Sequence, residues 1–147
     1  MKTSKYFGLL TAGLLLVNVA VRAQDASDKD HQEKMKTHHK QAKDHAGAIA
    51  NGQSKTKADH QKHADEADKN LAEAKKHNEA LQAKGGKHKA SHDAIAKHHA
   101  EAGKHSKAMK DEAAKPSPDD KKLKEHAKNF NDSMDKAEQE REKTKDN

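Results

Sequence analysis

From residue 24 onward the apolar positions are spaced for helices. Ala64, Ala67, Leu71, Ala74, Asn78 and Leu81 fall three and four residues apart, and Leu123, Ala127, Phe130, Met134 and Ala137 do the same. Met35, Ala42 and Ile49 recur every seven residues, as do Ile95, Ala102 and Met109. A stripe of this period lies on one face of a helix and packs against similar stripes in a left-handed bundle. No segment alternates with the two-residue period of a strand. The breaks fall at Asn-Gly-Gln-Ser (51–54), at Gly85-Gly86 and at Lys-Pro-Ser-Pro-Asp-Asp (115–120). Glycine ends a helix because it enters the left-handed region without penalty. Ser27 and Ser54 are candidate N-caps. Ser117 is a third, followed by Pro118 at the first helical position and by Asp119 and Asp120 on the positive end of the helix dipole. The pattern predicts helices over 27–50, 54–84, 87–114 and 118–144. Opposite charges four apart, such as Lys40/Asp44, Asp93/Lys97 and Asp111/Lys115, support them.

The two halves of this region match. An offset of 60 carries Met35, His38, His39, Ala42, His45 and Ile49 onto Ile95, His98, His99, Ala102, His105 and Met109. An offset of 63 carries His63, Ala64, Leu71 and Ala74 onto His126, Ala127, Met134 and Ala137, the extra residues falling in the Pro-containing connection. The fold expected is all-α: an Ala-rich antiparallel four-helix bundle made from a duplicated helical hairpin.

Composition makes that bundle marginal. Residues 24–147 hold 22 Ala but only nine larger apolar groups: Met35, Ile49, Leu71, Leu81, Ile95, Met109, Leu123, Phe130 and Met134. A domain of this length ordinarily buries many more. The scarcity of β-branched and aromatic residues excludes an all-β fold, and the absence of Val-rich runs excludes a catalytic α/β domain. The alternative to a bundle is a set of extended or partly disordered helices, since high polarity with few apolar groups is the signature of disorder.

Residues 1–23 read as a cleavable secretory signal. Lys2 and Lys5 form a positive start, Leu9 to Val17 a short apolar run, and Val21-Arg22-Ala23 a cleavage site that leaves Gln24 as the new terminus. The run is too short to span a bilayer comfortably. With no Cys in the chain, neither disulfides nor lipid attachment at a Cys is available. The expected location is the periplasm or the outside medium, with no membrane attachment after cleavage.

The leader also distorts the charge. The chain carries +6 with His neutral, but three of those positive charges lie in the leader, so residues 24–147 carry +3. Acids and bases interleave, which argues against a specific nucleic-acid surface. Nor is there a bulky apolar face for membrane insertion. The sequence lacks a nucleophilic Cys, a G-x-S-x-G turn, an H-E-x-x-H motif and a phosphate-cradling Gly-rich loop, and catalysis is not expected.

Histidine carries the chemistry: 13 residues, all after the leader. Neutral imidazole suits Zn, Cu and Ni. His31, His38 and His45 recur every seven residues beside the Met35/Ala42/Ile49 stripe, and His98 and His105 do so beside Ile95 and Ala102. His88 and His92 are one turn apart, the spacing that chelates an ion from one helix face. His60 and His63 lie on adjacent turns. Counting helix rise from the connections at 1.5 Å per residue places His45, His63, His105 and His126 near one level, where four imidazoles would make a closed metal site. The candidate ligands are therefore His38, His45, His60, His63, His88, His92, His98, His105 and His126. The expected function is binding divalent transition metals for buffering, scavenging or tolerance. The alternative is a pH-responsive structural or stress protein with client proteins or weak self-association, since full protonation of His would raise the charge of residues 24–147 from +3 to +16. Haem binding through two axial imidazoles is a minor alternative, disfavoured because Phe130 is the only aromatic after the leader available to wall a porphyrin.

Overall fold

The computed structural model describes the backbone of residues 9–145 and the side chains of residues 26–145. Four helices follow one another: α1 (Leu9–Ala50), α2 (Lys57–Lys84), α3 (Lys89–Ala114) and α4 (Asp120–Glu142). No strand occurs among the described residues. The chain divides into two compact units, Met1–Asp30 and His31–Asn147, and the bundle is the second. The first carries the beginning of α1. The side chains expected to form the leader lie outside the described residues. Among those described, no helix is long and apolar enough to cross a membrane.

The boundaries differ from expectation at three caps. α1 does not begin at Ser27 but runs from Leu9, because the Leu/Ala/Val-rich stretch is followed by Gln24-Asp25-Ala26 with no Gly or Pro to stop it. α2 is capped by Thr56, not Ser54. The Thr56 side chain accepts from the Asp59 backbone N–H at 3.1 Å and Asp59 returns the bond to the Thr56 backbone at 3.1 Å, a closed capping box that Ser54 has no acid to complete. Ser54 is instead buried against His60. α4 is capped by Asp119, which accepts from the backbone N–H groups of Lys121 and Lys122. Its carboxylate is a stronger acceptor than the Ser117 hydroxyl and favours the positive helix end. The stops fall as expected, with Gly52, Gly85 and Gly86 all at positive φ.

Packing follows the stripes. α3 lies against both α2 and α4. α1 meets α2 through His38–Asn70 and His45–His63, and α4 through Lys43–Asp135 and His39–Glu138. Successive helices are thus antiparallel neighbours, and α1 closes the ring against α4. All nine large apolar residues are buried, as is every seam alanine named above. The main cluster joins Ile49, Leu71, Met109, Leu123, Phe130 and Met134 through alanines from all four helices. A second, toward the other end, contains Met35, Ala74, Leu81, Ile95 and Ala137.

The internal repeat is visible in space. His39 and His99, 60 residues apart, meet directly across the bundle. The offsets of 60 and 63 also carry the α1–α2 contact His45–His63 onto the α3–α4 contact His105–His126. Equivalent residues thus make equivalent contacts in the two hairpins.

Candidate functional site

Histidines occupy two kinds of position. His39, His60, His92 and His99 are buried in the seams, while the other nine are half-buried on the flanks. The flanks are where a side chain of α1 can reach one of α2, and there imidazoles meet in pairs.

His31 and His77 bring their Nδ1 atoms to 3.0 Å, and His45 and His63 bring theirs to 3.1 Å. A metal–imidazole bond of about 2.0 Å puts two ligand nitrogens about 2.8 Å apart at a right angle and about 3.3 Å apart at the tetrahedral angle. Both pairs fall between these values, the spacing of two nitrogens that share one ion. His38 stacks on His77 with ring centroids 5.8 Å apart and planes 13° from parallel. Its Nδ1–H donates to Asn70 Oδ1 at 3.0 Å, and Asn70 Nδ2 donates to the Glu66 carbonyl, which fixes the amide and leaves the His38 Nε2 lone pair free. The repeat-related pair, His105 and His126, is wider, with centroids 6.2 Å apart and His126 Nδ1 buried without a partner.

The electrostatics favour a neutral ring at His63 and at His77, the form that binds metals. Burial, then His45 and Lys62, lower the His63 pKa, against a raising effect of Asp59. Burial, then His31, His38 and Lys34, lower that of His77, against Glu73. Each flank thus sets an acid beside its imidazoles.

The seam histidines are held differently. His60 bridges three segments: its Nδ1 lies 2.7 Å from Ser54 Oγ and its Nε2 lies 3.2 Å from Asp120 at the start of α4. His92 Nδ1–H donates to Asn78 Oδ1 at 3.0 Å while Asn78 Nδ2 donates to the His92 carbonyl at 2.9 Å, a reciprocal clasp between α2 and α3. His39 Nδ1–H donates to Glu138 at 3.0 Å, and its Nε2 lies 2.7 Å from His99 Nε2. Arg141, fully buried, grips the same Glu138 with Nε and a terminal nitrogen. Burial alone would raise the Glu138 pKa, but the hydrogen bonds from Arg141 and His39 reverse this and hold it well below the usual carboxylate range. Burial, with His39 and Lys75 nearby, pushes His99 down to about 3.

Of the nine candidate ligands, the structure brings together His45 with His63 and His105 with His126, and sets His38 against His77. His60 and His92 are committed to buried hydrogen bonds. His88 sits at the N-cap position of α3, and His92 turns inward to Asn78 rather than out beside it. His98 stays half-buried on its flank. The four-imidazole layer does not form: among the described residues no three or more His, Asp or Glu side chains converge to hold an ion. The reason is rotational. His45, His63, His105 and His126 sit beside the seam, and the axis positions at that level belong to Ala46, Ala64, Ser106 and Ala127, all fully buried. His31, His39, His77 and His99, absent from the candidate set, make three of the ring contacts.

The fold and its side chains define a His-rich four-helix bundle with imidazoles paired across helices. No family model, curated protein or solved structure matches the chain.

Proposed function

We propose that this is an exported protein that binds divalent transition-metal ions, Zn, Cu or Ni, at solvent-facing imidazole pairs, as a buffer or scavenger and not as an enzyme. The observation that carries the reading is the 3.0 and 3.1 Å separation of paired Nδ1 atoms from two different helices. Two protein ligands leave the remaining coordination positions to water or a neighbouring carboxylate, which suits exchangeable binding more than a permanent structural site. Ions bridging α1 and α2 would supply cross-links that the sparse apolar core lacks. A ligand at about 100 times its Kd stabilises the folded form by about 2.7 kcal/mol.

The test is a Zn titration at pH 7.5 that follows heat and thermal unfolding together. Saturable binding and a rising melting temperature are expected. The combined substitution His31→Gln with His45→Gln is expected to remove the tightest binding, and His88→Gln with His98→Gln to leave it intact. Equal losses in both variants would mean that the ions bind histidine indiscriminately, and the pairs would have no special standing.

A second reading, a pH-responsive bundle, draws support from His99, which is buried as a neutral ring with its pKa pushed down to about 3.

A further inference from the structure

The contact between His39 and His99 differs from the flank pairs in its burial and its geometry. The rings are 2% and 1% exposed, nearly perpendicular at 84°, and their Nε2 atoms face each other at 2.7 Å. Two lone pairs at that distance repel unless a cation lies between them. In the resting molecule that cation is a proton.

The tautomers follow from the partners. His39 Nδ1–H donates a hydrogen bond to the Glu138 carboxylate, so its Nε2 presents a lone pair. Arg141 fixes Glu138 from the same helix. The shared proton therefore belongs to Nε2 of His99. Its other nitrogen, Nδ1, is buried and has no hydrogen-bond partner. Nothing locks that ring: the proton can move from Nε2 to Nδ1 with the loss of one hydrogen bond, and a second lone pair then faces the first.

We propose that the His39–His99 dyad is a closed two-coordinate site for a soft monovalent cation, Cu(I) or Ag(I), which takes the place of the shared proton. In the exchange the His99 proton passes from Nε2 to Nδ1, both imidazoles stay neutral, two nitrogen–metal bonds form, and no proton is released. The carboxylate behind His39 is the outer-shell partner that metal-bound imidazoles ordinarily keep. The charge of the site favours a monovalent ion. Glu138 is already shared with Arg141, and Lys75 lies close enough to His99 to disfavour positive charge there, so each charge the ion brings goes uncompensated in the interior and a divalent ion brings twice as much. Zn is disfavoured for a further reason, its need for four ligands: among the described residues no third protein ligand converges here, and the burial of both rings excludes the water that completes the shell on the flanks. Entry is from the His39 side, where His39 and Glu138 line an open groove of about 520 Å³ with Thr37, Lys40 and Asp44. With bonds of about 2.0 Å, a linear ion sets the two nitrogens about 4 Å apart, so the rings must part by about 1.3 Å. On α1 and α3 the next seam positions are Ala42 and Ala102, so the rings part beside small side chains.

The site is independent of the flank pairs, and silver nitrate in chloride-free buffer at pH 7.5 tests it. In protein labelled with ¹⁵N at histidine, the first equivalent of Ag(I) is expected to shift the ring nitrogens of His39 and His99 alone, with His99 Nδ1 moving to the protonated range, without proton release. His99→Gln should abolish this binding while Zn uptake by His45 and His63 persists. Glu138→Gln should weaken silver binding by about 10- to 100-fold with helicity retained. Silver signals confined to the half-buried rings would overturn the proposal, as would release of one proton per ion or undiminished tight binding by a folded His99→Gln protein. The wild-type nitrogen shifts decide the matter even if a variant fails to fold. Silver at the dyad without Zn on the flanks would defeat the divalent reading alone, and the converse would defeat this one alone.

Discussion

Phe130→Ala is expected to destabilise the bundle by about 3–5 kcal/mol, the range for removing a fully buried aromatic ring. Phe130 is fully buried in the main cluster, and seven of the other twelve members are alanines: Ala42, Ala46, Ala64, Ala67, Ala102, Ala113 and Ala127. The cost of such a truncation depends on how far the surroundings collapse into the space. An alanine has no rotatable side chain to move, so this cavity persists and the cost sits toward the upper end. Set against a total stability of about 5–15 kcal/mol for ordinary domains, and a chain with so few large apolar groups, the variant should be largely unfolded without added ligand. Urea unfolding followed by circular dichroism measures this. A loss below about 1 kcal/mol would be inconsistent with a close-packed ring at that position.

The second large effect is acid. Burial, then His39 and Lys75, push His99 down to about 3 in the folded state, whereas the unfolded chain titrates this ring near pH 6.5. The unfolded state therefore binds the proton first. The stability associated with a neutral His99 is complete above about pH 6.5 and declines as the pH falls from there toward 3. At pH 5 the loss is on the order of 2 kcal/mol from this ring alone. His63 and His77, also lowered, act in the same direction but more weakly because they are half-exposed. Carboxylates add to the trend further down. Burial raises the Asp68 pKa, but Lys110 and Ser106 outweigh it and hold the group low; Glu138 is held low by Arg141 and His39. Both contribute stability above the ordinary carboxylate pKa and lose it as the pH falls through their folded values. Urea midpoints should be level between pH 8 and 7 and fall steadily from pH 6.5 to 5. A profile flat to pH 5 would show that His99 is not buried as a neutral ring. In His99→Phe the decline above pH 5 should be much reduced.

Much of the core was legible because helical periodicity is a local property. The α2 and α4 stripes and the sevenfold recurrences of α1 and α3 are all buried. The dyad was legible too, but only by filling the intervals. Met35, His39, Ala42, Ala46 and Ile49 form a complete series with steps of four and three, and so do Ile95, His99, Ala102, Ser106 and Met109. Reading only the sevens steps over His39 and His99 and makes the flank rings look like the site. The counting of helix rise put His45 and His63 at a common level, where they do meet. It carried no information about rotation around the helix axis, and rotation decides whether four rings at one level converge or lie in two pairs. The repeat offset of 60 held the missing clue, since it places His39 and His99 at equivalent seam positions. Glu138 and Arg141 gave no comparable signal among so many acids and bases. Their role follows from α4 bringing them beside α1, a non-local event.

The alanine seam has a thermal consequence. The heat-capacity change of unfolding rises with newly wetted apolar area and falls with wetted polar area, and ordinary domains average about 12–15 cal/mol/K per residue. A core built on Ala42, Ala64, Ala102 and Ala127 beside long charged side chains wets little hydrocarbon when it opens. Calorimetry should therefore give a value below that average. A small heat-capacity change flattens the curve of stability against temperature, so this bundle tolerates cooling and moderate warming with little change in free energy while responding steeply to protons.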